Sequence, residues 1–270
     1  MISREIILLN NSYKSPDISV AWWKKKWPNL AYINIARVVF HASHMAKTGR
    51  FDDQQFVRES LATARVFESF GTRFEIYGLE HIKAMDVPCV FVSNHMSTME
   101  TFVLPSLVVT HKPAAFVVKE SLINYPVFGA VMRACDPIVV GRKNPRKDLQ
   151  TTLEKGIEKL KQGTSVIIFP QTTRTVDFDP KKFNSIGIKL ALRGKVPIIP
   201  IALKTNAWGN GKMFKDFGPI DPTKPVRIVF GDPITLTDRG QQQHQMIIEF
   251  IQKNLEKWKS PSTTENVTQS

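Results

Sequence analysis

A histidine followed five positions later by a glutamate, His95 and Glu100 in the stretch VPCVFVSNHMSTME (87–100), has the residue types for general-base chemistry. Histidine is the side chain whose unperturbed pKa lies closest to neutrality. A carboxylate hydrogen-bonded to one ring nitrogen fixes the tautomer and leaves the other nitrogen to accept a proton. The spacing restricts how such a pair forms. Five residues on a regular helix turn through about 500°, so the two side chains would not share a helical face. The dyad needs His95 in a loop or first turn, with Glu100 reaching back from the helix that follows. Otherwise the two are an ordinary surface or capping pair.

Three further positions could meet an anionic substrate. Lys119 ends the apolar run AAFVVK, and Arg142 ends DPIVVGR. In IIFPQTTRT an apolar run breaks at Phe169 and Pro170 into a polar turn carrying Gln171, Thr172, Thr173 and Arg174. An arginine flanked by threonine hydroxyls and backbone amides binds phosphate with bidentate geometry. Taken singly, Arg174 is a salt-bridged surface arginine and Lys119 a solvated strand end. Their joint placement after buried strands suits a bound anion.

Elements that would position these groups follow from hydrophobic period. Strands are predicted over 74–78, 89–93, 114–119, 136–142, 164–170, 196–203 and 226–234. Helices are predicted over 98–109 (interrupted at Pro105), 144–162, 184–193 and 241–259. Strands alternating with helices imply an α/β fold with a mixed, mostly parallel sheet flanked by helices, and ligands sit at the carboxyl edge of such sheets. Residues 73–259 form this domain, and the polar end 260–270 reads as a disordered tail.

Residues 1–72 differ. The first fifty carry eight Lys and Arg against Glu5 and Asp17. Trp22, Trp23 and Trp27 interleave with Lys24 to Lys26, ahead of the apolar LAYINIARVVFHASHMA and a second helix over 52–70. Tryptophan beside lysine suits a membrane interface, so this part reads as a membrane-associated helical hairpin. The plainer alternative is an amphipathic helix packed on its own domain. The net charge of +13 and pI of about 9.8 call for an anionic partner. Nucleic acid has no recognition motif to support it, leaving an anionic membrane surface and a phosphorylated substrate. Cys89 and Cys135 have neither disulfide nor metal spacing, and no apolar run is long enough for a transmembrane helix or signal peptide.

SNHMSTME, KESLINYPVFG, FPQTTRT and VPIIPIAL, in that order, resemble the four sequence blocks of the glycerolipid acyltransferases, the 1-acylglycerol-3-phosphate acyltransferases and their relatives. The resemblance covers about residues 73–234. It implies a peripheral enzyme on the cytoplasmic face of a membrane. Such an enzyme transfers an acyl group from acyl-CoA or acyl-carrier protein to a lysophospholipid hydroxyl, without a metal or resident cofactor. His95 falls on the family's general base and Glu100 on its orienting carboxylate. Lys119, Arg174, Thr173, Gln171, Thr172 and Arg142 fall on or near the acceptor-binding positions. Glu100 stands where aspartate is usual, and Gln171 and Thr172 stand where the family has glutamate and glycine. The altered third block leaves open another lyso-lipid acceptor, a transacylase, or a silent lipid-binding protein of the same fold.

Overall fold

The computed structural model describes residues 1–171, 173–212 and 215–259. Its strands are β1 (Ser12–Lys14), β2 (Phe74–Tyr77), β3 (Val90–Ser93), β4 (Ala114–Lys119), β5 (Ile138–Val140), β6 (Ser165–Ile168), β7 (Ile198–Lys204) and β8 (Val226–Phe230). They make one sheet in the order β1-β2-β8-β7-β3-β6-β4-β5. The five strands from β7 to β5 run parallel. β8 enters antiparallel to β7 and parallel to β2, and β1 closes the edge antiparallel to β2. The sheet is therefore mixed and mostly parallel, with helices on both faces.

Central strands β3 and β6 are buried at every position. That explains their unbroken apolar runs, because a strand covered on both faces has no polar side to alternate with. Parity still sorts them. Phe91 and Ile167 pack into one cluster, and Val90, Val92, Val166 and Ile168 into the other, as expected when successive side chains point to opposite faces.

The second face is covered by α9 (Pro145–Lys161), α10 (Ile186–Gly194) and α11 (Gln241–Lys257), which bury Leu153, Leu160, Leu190, Ile247 and Ile251. Gly187 brings α10 against β3, since a Cβ there would meet Val92 Cγ2 at 2.6 Å. On the first face lie α3 (Ala31–Lys47), α4 (Asp53–Ser69) and α6 (Met99–Val108). Pro105 interrupts the hydrogen-bond ladder of α6, and Ser60 of α4 repairs it. The Ser60 hydroxyl accepts from Ser106 N–H at 2.9 Å and lies 2.6 Å from the Phe102 carbonyl.

Residues 1–72 contain the expected hairpin in α3 and α4, but they are not a layer apart from the sheet. α1 (Arg4–Leu9), β1 and α2 (Trp22–Lys26) precede it, and β1 extends the sheet itself. Ile2 and Ile7 share a core with Phe91. The buried Glu68 carboxylate of α4 ties this segment down, accepting from Ile2 N–H at 2.9 Å, Tyr13 OH at 2.6 Å and Ser15 OH at 2.5 Å. Short helices α5 (Leu79–Lys83), α7 (Glu120–Ile123) and α8 (Phe128–Ala134) fill connections that hydrophobic period had left unassigned. The predicted tail 260–270 lies outside the described residues.

Candidate active site

Most of the described sequence-selected positions follow the carboxyl ends of parallel strands, on one edge of the sheet. His95 follows β3, Gln171, Thr173 and Arg174 follow β6, Lys119 ends β4 and Arg142 follows β5. Asn94 fixes the exit from β3. Its side chain donates to the Leu203 carbonyl at 2.8 Å and accepts from Leu203 N–H at 2.9 Å, copying the backbone pairing one residue beyond the strand.

His95 lies in the loop before α6, and Glu100 reaches back from its first turn, so the five-residue spacing closes. Nδ1 of His95 is 2.9 Å from Glu100 Oε1. The imidazole stacks on Phe169, ring centroids 4.3 Å apart. Glu100 is fully buried. Its carboxylate accepts from Met96 N–H at 2.6 Å and Ser97 N–H at 2.8 Å, with the Thr205 hydroxyl donating to Oε2 at 2.5 Å. A carboxylate at the start of α6 also meets the positive end of the helix dipole. Burial pushes the Glu100 carboxyl up, but the hydrogen bond and charge of His95, with Thr205 and the Ser97 amide, outweigh it. The group sits below the ordinary range and stays ionised. A buried anion then holds a proton on Nδ1, and the Nε2 lone pair is left to act as a base.

Arg174 is largely buried, and its guanidinium is directed at the same place. Nη1 donates to Thr98 Oγ1, at the start of α6, and Nη2 lies 2.7 Å from Asp216 Oδ1. Arg142 is exposed and in the left-handed conformation, with φ of 55°. Partial loss of solvent around the guanidinium, and then the charge of Arg174, hold it below the ordinary arginine range, with Asp148 opposing. Both cations lie on the same edge of the sheet. Lys119 is solvent-exposed on the same edge. Among the described residues no hydrogen bond or ion pair joins it to Arg174 or to the dyad.

Gln171 has both ends of its side chain engaged within the chain. Its amide is buried, with Oε1 accepting from His95 N–H at 2.7 Å and Nε2 donating to Thr175 Oγ1 at 2.8 Å. Both ends are used to brace the His95 loop, which a neutral amide does by accepting and donating at once. Thr173 is exposed and accepts from Lys215 Nζ at 3.1 Å. Thr172 lies outside the described residues.

Thr205, Thr98, Phe169 and Asp216 were not singled out from the chain. Thr205 follows β7 as His95 follows β3, so an equivalent strand-end position was its only signal. Asp216 had none.

Residues 73–204 match the family model described as Acyltransferase. A Pseudomonas aeruginosa protein named 1-acyl-sn-glycerol-3-phosphate acyltransferase is 34% identical over 65% of this chain and 64% of its own length. A chloroplastic protein of that name from Brassica napus is 32% identical over 58% of this chain and 43% of its own. The chain thus spans less than two thirds of either relative. The crystal structure of the 1-acyl-sn-glycerophosphate (LPA) acyltransferase PlsC from Thermotoga maritima shares the fold, with a TM-score of 0.65 and 21% identity over 88% of this chain and 98% of that one.

Proposed function

We propose, on the premise that residues 73–204 belong to the acyltransferase family, that this chain transfers a fatty acyl group from a thioester donor to the hydroxyl of a lysophospholipid at a membrane surface. The observation that carries the proposal is the His95–Glu100 dyad, with Nδ1 2.9 Å from a fully buried carboxylate. In the reaction, Nε2 of His95 takes the proton of the acceptor hydroxyl as its oxygen attacks the thioester carbonyl. The new C–O bond forms, the C–S bond breaks, and the proton passes from His95 to the departing thiolate. Glu100 stabilises the imidazolium during that interval. No acyl-enzyme and no resident cofactor are needed.

Arg174 and Arg142 hold the acceptor phosphate, with Lys119 adding positive potential from the rim. A phosphate held there would lie close to His95, because Thr98 joins Arg174 to the start of α6. A 1-acylglycerol 3-phosphate acceptor is supported by the name that the two relatives share. The acyl chain has a candidate point of entry at a small apolar recess of about 40 Å³, open to solvent, between α3, α4, α6 and α8, lined by Val38, Ala42, Phe56, Phe102 and Phe128. The donor is acyl-CoA or acyl-carrier protein, and the enzyme works peripherally on the cytoplasmic leaflet.

The test is purified protein with labelled acyl-CoA or acyl-carrier protein and a panel of lyso-lipids, products resolved by mass. Product is expected with a phosphate-bearing acceptor, and His95→Ala should lose a factor of about 10² to 10⁴ while remaining folded. A folded His95→Ala protein with wild-type turnover, or a wild-type protein inert toward the whole panel, overturns the proposal.

A further inference from the structure

Arg174, assigned above to the acceptor phosphate, already has an anion against it. Asp216 Oδ1 lies 2.7 Å from Nη2, and the other carboxylate oxygen accepts from Tyr125 OH at 3.3 Å. Both members of the ion pair are shielded, with side-chain exposures of 16% for Arg174 and 28% for Asp216. Next in the chain, Lys215 Nζ donates to Thr173 Oγ1.

The backbone that presents Asp216 is pinned to the N-terminal helices. Tyr32 OH donates to the Gly218 carbonyl at 2.6 Å, and Ile220 N–H donates to Asn29 Oδ1 at 2.9 Å. Gly218 is pressed against the chain, since a Cβ there would meet the Gly209 carbonyl oxygen at 1.9 Å. Asp216 is therefore set in place by tertiary contacts rather than being a surface side chain that happens to meet an arginine.

We propose that the Asp216 carboxylate occupies the place on Arg174 that an acceptor phosphate must take, making Asp216 a specificity-determining residue of the acceptor site. This rests on the assignment of Arg174 to the phosphate. Carboxylate and phosphate present equivalent pairs of oxygens to a guanidinium, so they compete for the same donors. A phosphomonoester carries up to two negative charges against one for the carboxylate. It can also draw on the charge of Lys215, whose ammonium donates to Thr173 in the same turn, so it displaces Asp216. An acceptor without phosphate has nothing to exchange for the ion pair. Asp216 thus raises the KM of phosphate-bearing acceptors, and it leaves acceptors without phosphate unhelped by Arg174. It therefore sets how far the site prefers a phosphate-bearing acceptor, and its removal should widen that preference.

The experiment compares wild type, Asp216→Asn, Asp216→Ala, Asp216→Glu and Arg174→Ala in steady-state kinetics, with 1-acylglycerol 3-phosphate and 1-monoacylglycerol as acceptors and inorganic phosphate as inhibitor. Removing one partly shielded ion pair should lower KM for 1-acylglycerol 3-phosphate about two- to tenfold in the Asn and Ala variants. KM should move more than kcat, and phosphate should inhibit at correspondingly lower concentration. Asp216→Glu, which keeps the charge, should stay near wild type, and KM for 1-monoacylglycerol should not fall. A KM for 1-acylglycerol 3-phosphate that is unchanged or raised in both Asn and Ala variants, while Arg174→Ala raises it, overturns the proposal and leaves the phosphate on Arg174. An Arg174→Ala enzyme with unchanged KM removes the phosphate assignment and this inference together.

Discussion

Glu100 shows how one methylene is accommodated. Its longer side chain folds back over the start of its own helix, so one carboxylate meets His95, two backbone amides and Thr205. The charge is affordable in a fully buried position only because those donors replace water. Thr205→Val deletes the shortest of them, and a hydrogen bond to a charged group contributes about 1.5–3 kcal/mol. Denaturant titration should register a loss of that size, with activity reduced less than in His95→Ala. The carboxyl's folded pKa lies below its ordinary value of 4.5. Its stabilisation is therefore complete above the unfolded value and lost only as pH falls through the lower folded one. The Tm gap between wild type and Glu100→Gln should hold from neutrality down to about pH 4.5 and close only in stronger acid. A gap closing near pH 6 would contradict this environment for Glu100.

Among the elements, α6 depends most on a neighbour. It starts at the His95 loop and carries Glu100, yet Pro105 takes a donor from its interior. Ser60 of α4 supplies the missing partner for Ser106 N–H, buried on all sides. Ser60→Ala leaves that N–H unsatisfied, which costs roughly 1–3 kcal/mol. The loss should appear as a lower denaturation midpoint without a change in m-value. Because α6 holds Glu100, residual activity should fall more steeply with temperature than in wild type. A Ser60→Ala protein as stable as wild type would mean that α6 carries its proline unaided.

Across the whole molecule, basic charge and exposed apolar surface coincide at the N-terminal helices. Trp22 is 69% exposed and Phe40 61%, and Trp27 stands close to Trp22, ring centroids 5.9 Å apart. Phe217, beside the Arg174 ion pair, packs on Tyr32 from the same side. Among the described residues no helix is long and apolar enough to cross a membrane. The three tryptophans are not equivalent. Trp23 meets Phe70 edge-on, and Lys24 covers both rings, so it holds α2 to its own domain. In vesicle co-sedimentation, Trp22→Ala and Trp27→Ala should weaken binding to anionic bilayers, whereas Trp23→Ala should mainly lower stability. Each lysine of Lys24 to Lys26 changed to Gln should cost about 1 kcal/mol of binding at low ionic strength. That effect should fade once salt shortens the screening length to a few ångströms. Unaltered partitioning in all these variants would leave the helix packed on its own domain.

Local pattern alone was enough to locate β3, β4, β6 and β7 and the long helices, and it offered the His95–Glu100 pair, which the four ordered blocks then favoured over a surface or capping pair. Each rests on a period or spacing contained within twenty residues or fewer. α1 and β1 escaped because six and three residues are too short to show a period. The antiparallel entry of β8 between β2 and β7 escaped for another reason: strand order is decided by which edges remain to be covered, not by any one strand's residues. The same divide runs through the site. Glu100 is five residues from its histidine, and the sequence by itself determined the pair. Thr205 joins Glu100 across 105 positions, Arg174 meets Thr98 across 76, and Asp216 meets Arg174 across 42. Those contacts exist only because strand pairing brings distant loops to one edge, so the surroundings of His95 and Glu100 and the partners of Arg174 were decided by the tertiary structure.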